Sequence, residues 1–220
     1  MKKTILIAFL LGCLTTFASA EMKAGISITG YDLDADGKES NINPTEGDKS
    51  ESAEIMGVTA SVFVEYAVMD MLSVGVDVVP YAIDMGSVKN VRNATAMSPT
   101  GTKGSDGQDG TNSAQVDLDY NATAYVLIPT EQGIYLKAGV SYGELAISET
   151  LTTGTSYPDE ELIGFHANIG YEHDLGGAFV RAEAGYSDWD TVKVNSSSGR
   201  NTVTADLDGV SARISIGKAF

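Results

Sequence analysis

Residues 55–66 read Ile-Met-Gly-Val-Thr-Ala-Ser-Val-Phe-Val-Glu-Tyr. Met56, Val58, Ala60, Val62, Val64 and Tyr66 fall on one side of an extended chain, against Gly57, Thr59, Ser61, Phe63 and Glu65. A period of two over this length is a strand with one apolar and one mixed face. The short link Ala67-Val68-Met69-Asp70 leads to a second such run, Met71 to Tyr81. There Leu72, Val74, Val76 and Val78 oppose Ser73, Gly75 and Asp77.

The same alternation recurs along the chain. It runs through Lys23–Tyr31, Val116–Ile128, Ile134–Tyr142, Leu162–Glu172, Gly177–Ser187 and Gly209–Phe220, which with the first two makes eight strands. Strands four and five are joined by Pro129–Gly133, and six and seven by His173–Gly176. The remaining connections are long: Asp32 to Glu54, Ile83 to Ala114, Gly143 to Glu161, and Asp188 to Asp208. Within the second of these, Ser98 to Ser113 is rich in Gly, Ser, Thr and Asp and reads as a mobile loop tip. Short turns at one rim and long connections at the other describe an all-β fold, an eight-stranded antiparallel up-and-down transmembrane β-barrel. The long loops are then expected outside the cell and the termini on the periplasmic side.

Heights along the apolar face agree with a lipid belt. Tyr120, Tyr142 and Tyr186 lie at long-loop ends, and Tyr66, Tyr171 and Phe220 at short-turn ends, with aliphatic residues and alanines between. They are expected to sit at the two membrane interfaces. The opposite face carries Glu65, Asp77, Asp119, Lys137, His166, Arg181, Glu183 and Arg213. In a lumen that side chains just fill, these charges must pair, because unpaired burial of an ion is prohibitive. A water-soluble lipocalin-type barrel would reverse this polarity.

The N-terminus reads as a secretory signal peptide. Lys2 and Lys3 precede an apolar run, and Ala18-Ser19-Ala20 is a cleavage site, so residues 1–20 are removed and 21–220 form the barrel domain. Leu10–Cys13 offers a lipobox as the rival reading. Cys13 is the only cysteine, so no disulfide is expected in the mature chain. The full chain has net charge −16, and loss of Lys2 and Lys3 leaves −18. Such a surface repels nucleic acid. At 43% hydrophobic residues, the chain is not of disordered composition.

The terminal strand Val210–Phe220 ends in Phe and resembles the segment that the outer-membrane barrel-assembly machinery recognises, apart from Lys218 in an apolar position. With the signal, the strands and the aromatic heights, the mature chain resembles the small OmpA/OmpX-type outer-membrane barrels. The resemblance implies outer-membrane location, lipid and lipopolysaccharide as surroundings, a monomer, and a non-enzymatic structural or adhesin-like role. A small-solute or hydrophobic-compound channel of porin type is the second expectation, and a lipid-modifying enzyme the third. Lipid A deacylases of similar size use a His-x-Ser pair, whereas His166-Ala167-Asn168 has no serine at that spacing. No catalytic residue is therefore assigned. Asp32-Leu33-Asp34-Ala35-Asp36-Gly37 matches the first half of an EF-hand loop, but its twelfth position is Asn43 rather than Glu. Weak surface calcium at Asp32, Asp34 and Asp36 is the expectation, with no other cofactor.

Overall fold

The computed structural model describes residues 21–41, 48–92, 110–151 and 155–220. The expected signal peptide with Cys13, the position Asn43 and most of the Ser98–Ser113 stretch lie outside the described residues. The strands are β1 (Met22–Asn41), β2 (Lys49–Met69), β3 (Leu72–Val79), β4 (Ile83–Arg92), β5 (Gly110–Pro129), β6 (Ile134–Thr150), β7 (Glu160–Asp174), β8 (Ala178–Asn195) and β9 (Asn201–Ala219).

Antiparallel pairing follows the order β3-β2-β1-β9-β8-β7-β6-β5-β4, and β3 also pairs with β5. The ring therefore closes through eight strands, and β4 is an extra one carried on β5. The sequence reading placed β4 in a loop. Pro80 accounts for the difference: it supplies no ladder N–H and fixes its own φ, so the third stave breaks there and resumes at Ile83.

Strands are longer than the alternation indicated. β2 runs 21 residues, whereas about 9–11 tilted residues cross a bilayer. Much of what read as long loop is paired strand. Asp188 to Asp208 is a hairpin whose two strands, β8 and β9, end at Asn195 and restart at Asn201. The barrel thus projects well past its apolar belt at the long-connection rim. On the belt itself Ile26, Val58, Phe165, Ile169 and Ile214 are more than half exposed. A contiguous apolar exterior of this kind is stable only against lipid. Tyr66, Tyr142, Tyr171, Tyr186 and Phe220 project from this same outer face, and Tyr120 is exposed beside it.

Two β-bulges reverse the inward and outward phase. One lies between Asp119 and Ala122 in β5, with Tyr120 at φ 56°. The other lies between Trp189 and Val192 in β8. Each places two residues opposite one, so residues beyond it change sides. Val116 and Leu118, which simple alternation puts on the outward face with Tyr120, point inward for this reason, and Leu118 is 4% exposed.

Candidate functional site

The lumen is the site, and it is built in three layers. Nearest the short-turn rim, Arg181 of β8 meets Glu65 of β2 through both guanidinium ends, at 2.8 and 2.9 Å. Arg181 also binds Glu172 at 2.6 Å, and Lys23 binds the other Glu172 oxygen at 2.7 Å. The guanidinium lies over the Phe179 ring at 4.7 Å and the Tyr135 ring at 5.2 Å. Planar Arg suits this role because it stacks and forks at once.

The second layer is centred on Glu183. Lys137 reaches both its oxygens at 2.6 and 2.5 Å, and the Tyr135 hydroxyl donates to it at 2.7 Å. Arg213 stands 3.6 Å from Glu183 and binds Asp77 through Nη2. The same Nη2 donates to Ser27 at 2.6 Å and Ser61 at 3.0 Å. Lys23, Lys137, Arg181 and Arg213 are matched by Glu65, Asp77, Glu172 and Glu183. Among the described residues the plug carries no net charge, which offsets the cost of burying its ions.

The third layer is apolar. Leu33, Val79, Ile83, Leu118, Leu145, Leu162, Trp189, Val192, Val194 and Leu207 form one buried cluster. Its residues come from the strand halves beyond the belt, and the two bulges turn Leu118, Val192 and Val194 into it. Glycines on the inner face admit aromatic rings. The Trp189 indole lies across Gly164 of the paired β7, where an added Cβ would sit 2.5 Å from its ring. A cavity of about 140 Å³ is bounded by residues of this cluster and by Lys137, Asp77 and Arg213, with neutral polar side chains such as Thr29, Asn121, Asn168, Ser187 and Ser211 also in its lining. His166 also lines it, edge-on to Trp189 with ring centroids 5.3 Å apart.

The wall beside this layer is incomplete. β2 pairs with β3 only from Val62 to Met69, and β4 pairs with β5. Above Val62, the described residues show no ladder between β2 and β4. The Tyr81 hydroxyl spans the start of the opening, accepting from the Ala60 amide at 2.5 Å and lying 3.0 Å from Thr59 Oγ1. At this level β2 still presents Met56, Val58 and Ala60 outward, each exposed.

No family model matches the chain, and no curated protein matches it in sequence. Among solved structures, the outer membrane protein OprG of Pseudomonas aeruginosa matches with a TM-score of 0.55 at 14% identity, over 92% of this chain and 96% of that one. The fold is that of the small outer-membrane β-barrels. The outer membrane protease OmpT of Escherichia coli matches at TM-score 0.47 and 11% identity, over 94% of this chain and 100% of that one. Ail, the attachment invasion locus protein of Yersinia pestis, matches at 0.38 and 12%, over 87% and 98%.

Within this outer-membrane barrel, Glu65, Asp77, Lys137, Arg181, Glu183 and Arg213 are brought together, and His166 lines the cavity without an ionic partner. Asp119 does not join them. It pairs with Glu144 on the outer side, because the bulge that follows it ends the phase on which its inward placement rested. The acidic run of the EF-hand resemblance is a strand rather than a loop. Asp32, Asp34 and Asp36 lie in β1, paired with β2 and β9. Alternate residues of a strand are spread about 6–7 Å apart in a line, whereas an EF-hand loop wraps its ligands around one point. Among the described residues, no group of three or more acidic, His or Cys side chains is placed to hold a metal. The apolar layer is what sequence reading missed. The broken phase of Trp189-Asp190-Thr191-Val192-Lys193-Val194 is the signal that could have found it.

Proposed function

We propose that this barrel takes small apolar compounds into its upper lumen and passes them sideways into the membrane between β2 and β4. In this reading the long-connection rim faces outward from the cell and both termini lie on the periplasmic side. The observation that carries it is the coincidence of three features: a chamber walled in part by an apolar cluster, an ion-paired plug below it, and a wall opening beside it. A polar solute moving along the axis would have to break the Arg181–Glu65 and Lys137–Glu183 pairs, each of which is deeply buried. An apolar compound need not, because the opening starts where the outer wall is still apolar and so leads toward lipid. The lumen supports this reading over the surface-interaction role, since much of the supposed loop surface is paired strand.

The test compares two fluxes in one proteoliposome preparation. Uptake of a small aromatic hydrocarbon such as toluene is expected to be faster than in protein-free vesicles, with no stepwise ion conductance in a planar bilayer. Steady ion conductance without hydrocarbon uptake would replace this reading with an aqueous pore.

A further inference from the structure

We propose that the cavity is a selective site for small ring compounds carrying one neutral hydroxyl or carbonyl, with Trp189 and His166 as its polar contacts. This rests on the reading of the upper lumen as an apolar chamber and names what the chamber prefers. Four observations support it.

Size comes first. The cavity is about 140 Å³, and an apolar cavity of about 150 Å³ holds benzene. A single six-membered ring is therefore the right scale.

The second is an unmet need within the wall. Trp189 Nε1 and His166 Nε2 are both buried with no hydrogen-bond partner in the described structure. The two rings pack edge to face, and both residues line the cavity. Buried polar atoms are nearly always satisfied, and those that are not call for an explanation.

Third, the chemistry of the pair is specific. An indole N–H only donates, and a neutral imidazole donates at one nitrogen and accepts at the other. A carbonyl oxygen can accept from Trp189. A hydroxyl can accept from Trp189 and also donate to His166 Nε2 when the imidazole proton is on Nδ1. A plain hydrocarbon does neither.

The fourth is charge. The cations that floor the cavity, Lys137 and Arg213, are ion-paired with Glu183 and Asp77, although Arg213 Nε, 3.6 Å from Glu183, has no hydrogen-bond partner in the described structure. An ionised ligand would lose its hydration to meet charges that are already matched, so the neutral form is favoured.

Trp189 is the only tryptophan, so its indole N–H gives one resonance in isotope-labelled protein. The experiment uses the whole mature barrel in lipid nanodiscs. It is titrated with cyclohexanol and with methylcyclohexane, which have the same shape but carry a hydroxyl or a methyl, and concentrations are corrected for partition into lipid. Cyclohexanol is expected to move the indole N–H downfield and to bind about tenfold more tightly, the scale of one hydrogen bond made in a dry site. Methylcyclohexane is expected to shift the methyl resonances of Ile83 and Leu118 while the indole N–H does not move downfield. His166→Phe should lower the hydroxyl preference while keeping the downfield shift of the indole N–H, and leave methylcyclohexane binding intact. Equal binding of the two compounds to the wild-type barrel would overturn the proposal, with ordered water as the partner of both nitrogens, and would leave the chamber reading standing. If neither compound perturbs the cavity residues, the chamber reading itself fails. The wild-type comparison decides the matter even if the variant does not fold.

Discussion

Arg181 and Glu65 face each other across the lumen as a two-pronged pair, Nη1 and Nη2 at 2.8 and 2.9 Å from the two carboxylate oxygens. Their side chains are 3% and 2% exposed. In so dry a place the pair is a poor source of net stability but a severe liability when halved. Glu65→Gln is expected to cost about 3–5 kcal/mol, because it strands a buried guanidinium. Removing both charges as Glu65→Leu with Arg181→Met is expected to cost much less than either single change. Unfolding in detergent, read by gel mobility with and without heating, gives the comparison. A double variant as unstable as the sum of the singles would show that the two residues act independently.

Tyr81 lends its hydroxyl to a strand edge that has lost its neighbour. The Ala60 amide points to the opening beside β4 and finds Tyr81 instead of a ladder carbonyl. Tyr81→Phe leaves the ring and removes the bridge, at a net cost of about 0.5–1.5 kcal/mol. Hydrogen exchange at Ala60 is expected to quicken, with the β1–β2 ladder below Val62 unchanged. Hydrocarbon uptake is expected to rise, since the hydroxyl spans the proposed exit. Slower uptake would mean that the bridge holds the opening in shape rather than closing it.

A row of carboxylates crosses four strands outside the belt. Glu54 pairs with Asp34, Asp34 with Asp208, and Asp208 with Asp188, all on the outer side. Like charges directly opposite each other destabilise a sheet by up to about 1 kcal/mol a pair. Asp34→Asn relieves two such pairs and is expected to raise the melting temperature at low salt. The gain should shrink in roughly 1 M salt, where screening acts within about 3 Å. An equal gain at both salt levels would point to hydrogen bonding rather than repulsion. Asp208 is the poorer choice because it also accepts from the Tyr186 hydroxyl at 2.9 Å.

How much of this is legible in the chain depends on phase. Inside the belt one face must be apolar, so period-two alternation reports strand, face and register, and the eight-strand ring can be read from residues such as Met56 to Tyr66. Beyond the belt both faces tolerate polar residues, and the strand signal of Asp32–Asp36 resembles a loop. A bulge costs one residue and changes nothing in composition, so Leu118 and Asp119 were placed on each other's side. Pro80 is visible in the sequence, and it marks the break that opens the wall. That β4 resumes strand beyond the break, paired to β5 alone, is a matter of long-range pairing that no local pattern reports. The charged plug was readable because burial forces each ion to find a partner; which ion pairs with which depends on shear around the ring.

The turn after β7 gives a prediction with a sign in pH. Asp174 lies beyond the belt and accepts from the Gly176 amide at 2.7 Å and the Gly177 amide at 3.4 Å. Gly176 and Gly177 take positive φ, 81° and 100°, a conformation that favours glycine. Those two amides, more than the nearby Lys23 and His173, hold the Asp174 carboxyl below the ordinary aspartate value. A carboxyl lowered on folding stabilises the turn above its unfolded value, and that contribution is lost as pH falls through the folded one. The turn should therefore be insensitive to pH from neutrality down to about 4 and loosen below that. The Gly176 amide shift, followed against pH, is expected to show a midpoint under the ordinary aspartate value. Asp174→Asn should remove that titration, since a neutral amide oxygen has no proton to gain. A midpoint at or above the ordinary value would mean that the two amides do not hold the carboxylate in solution.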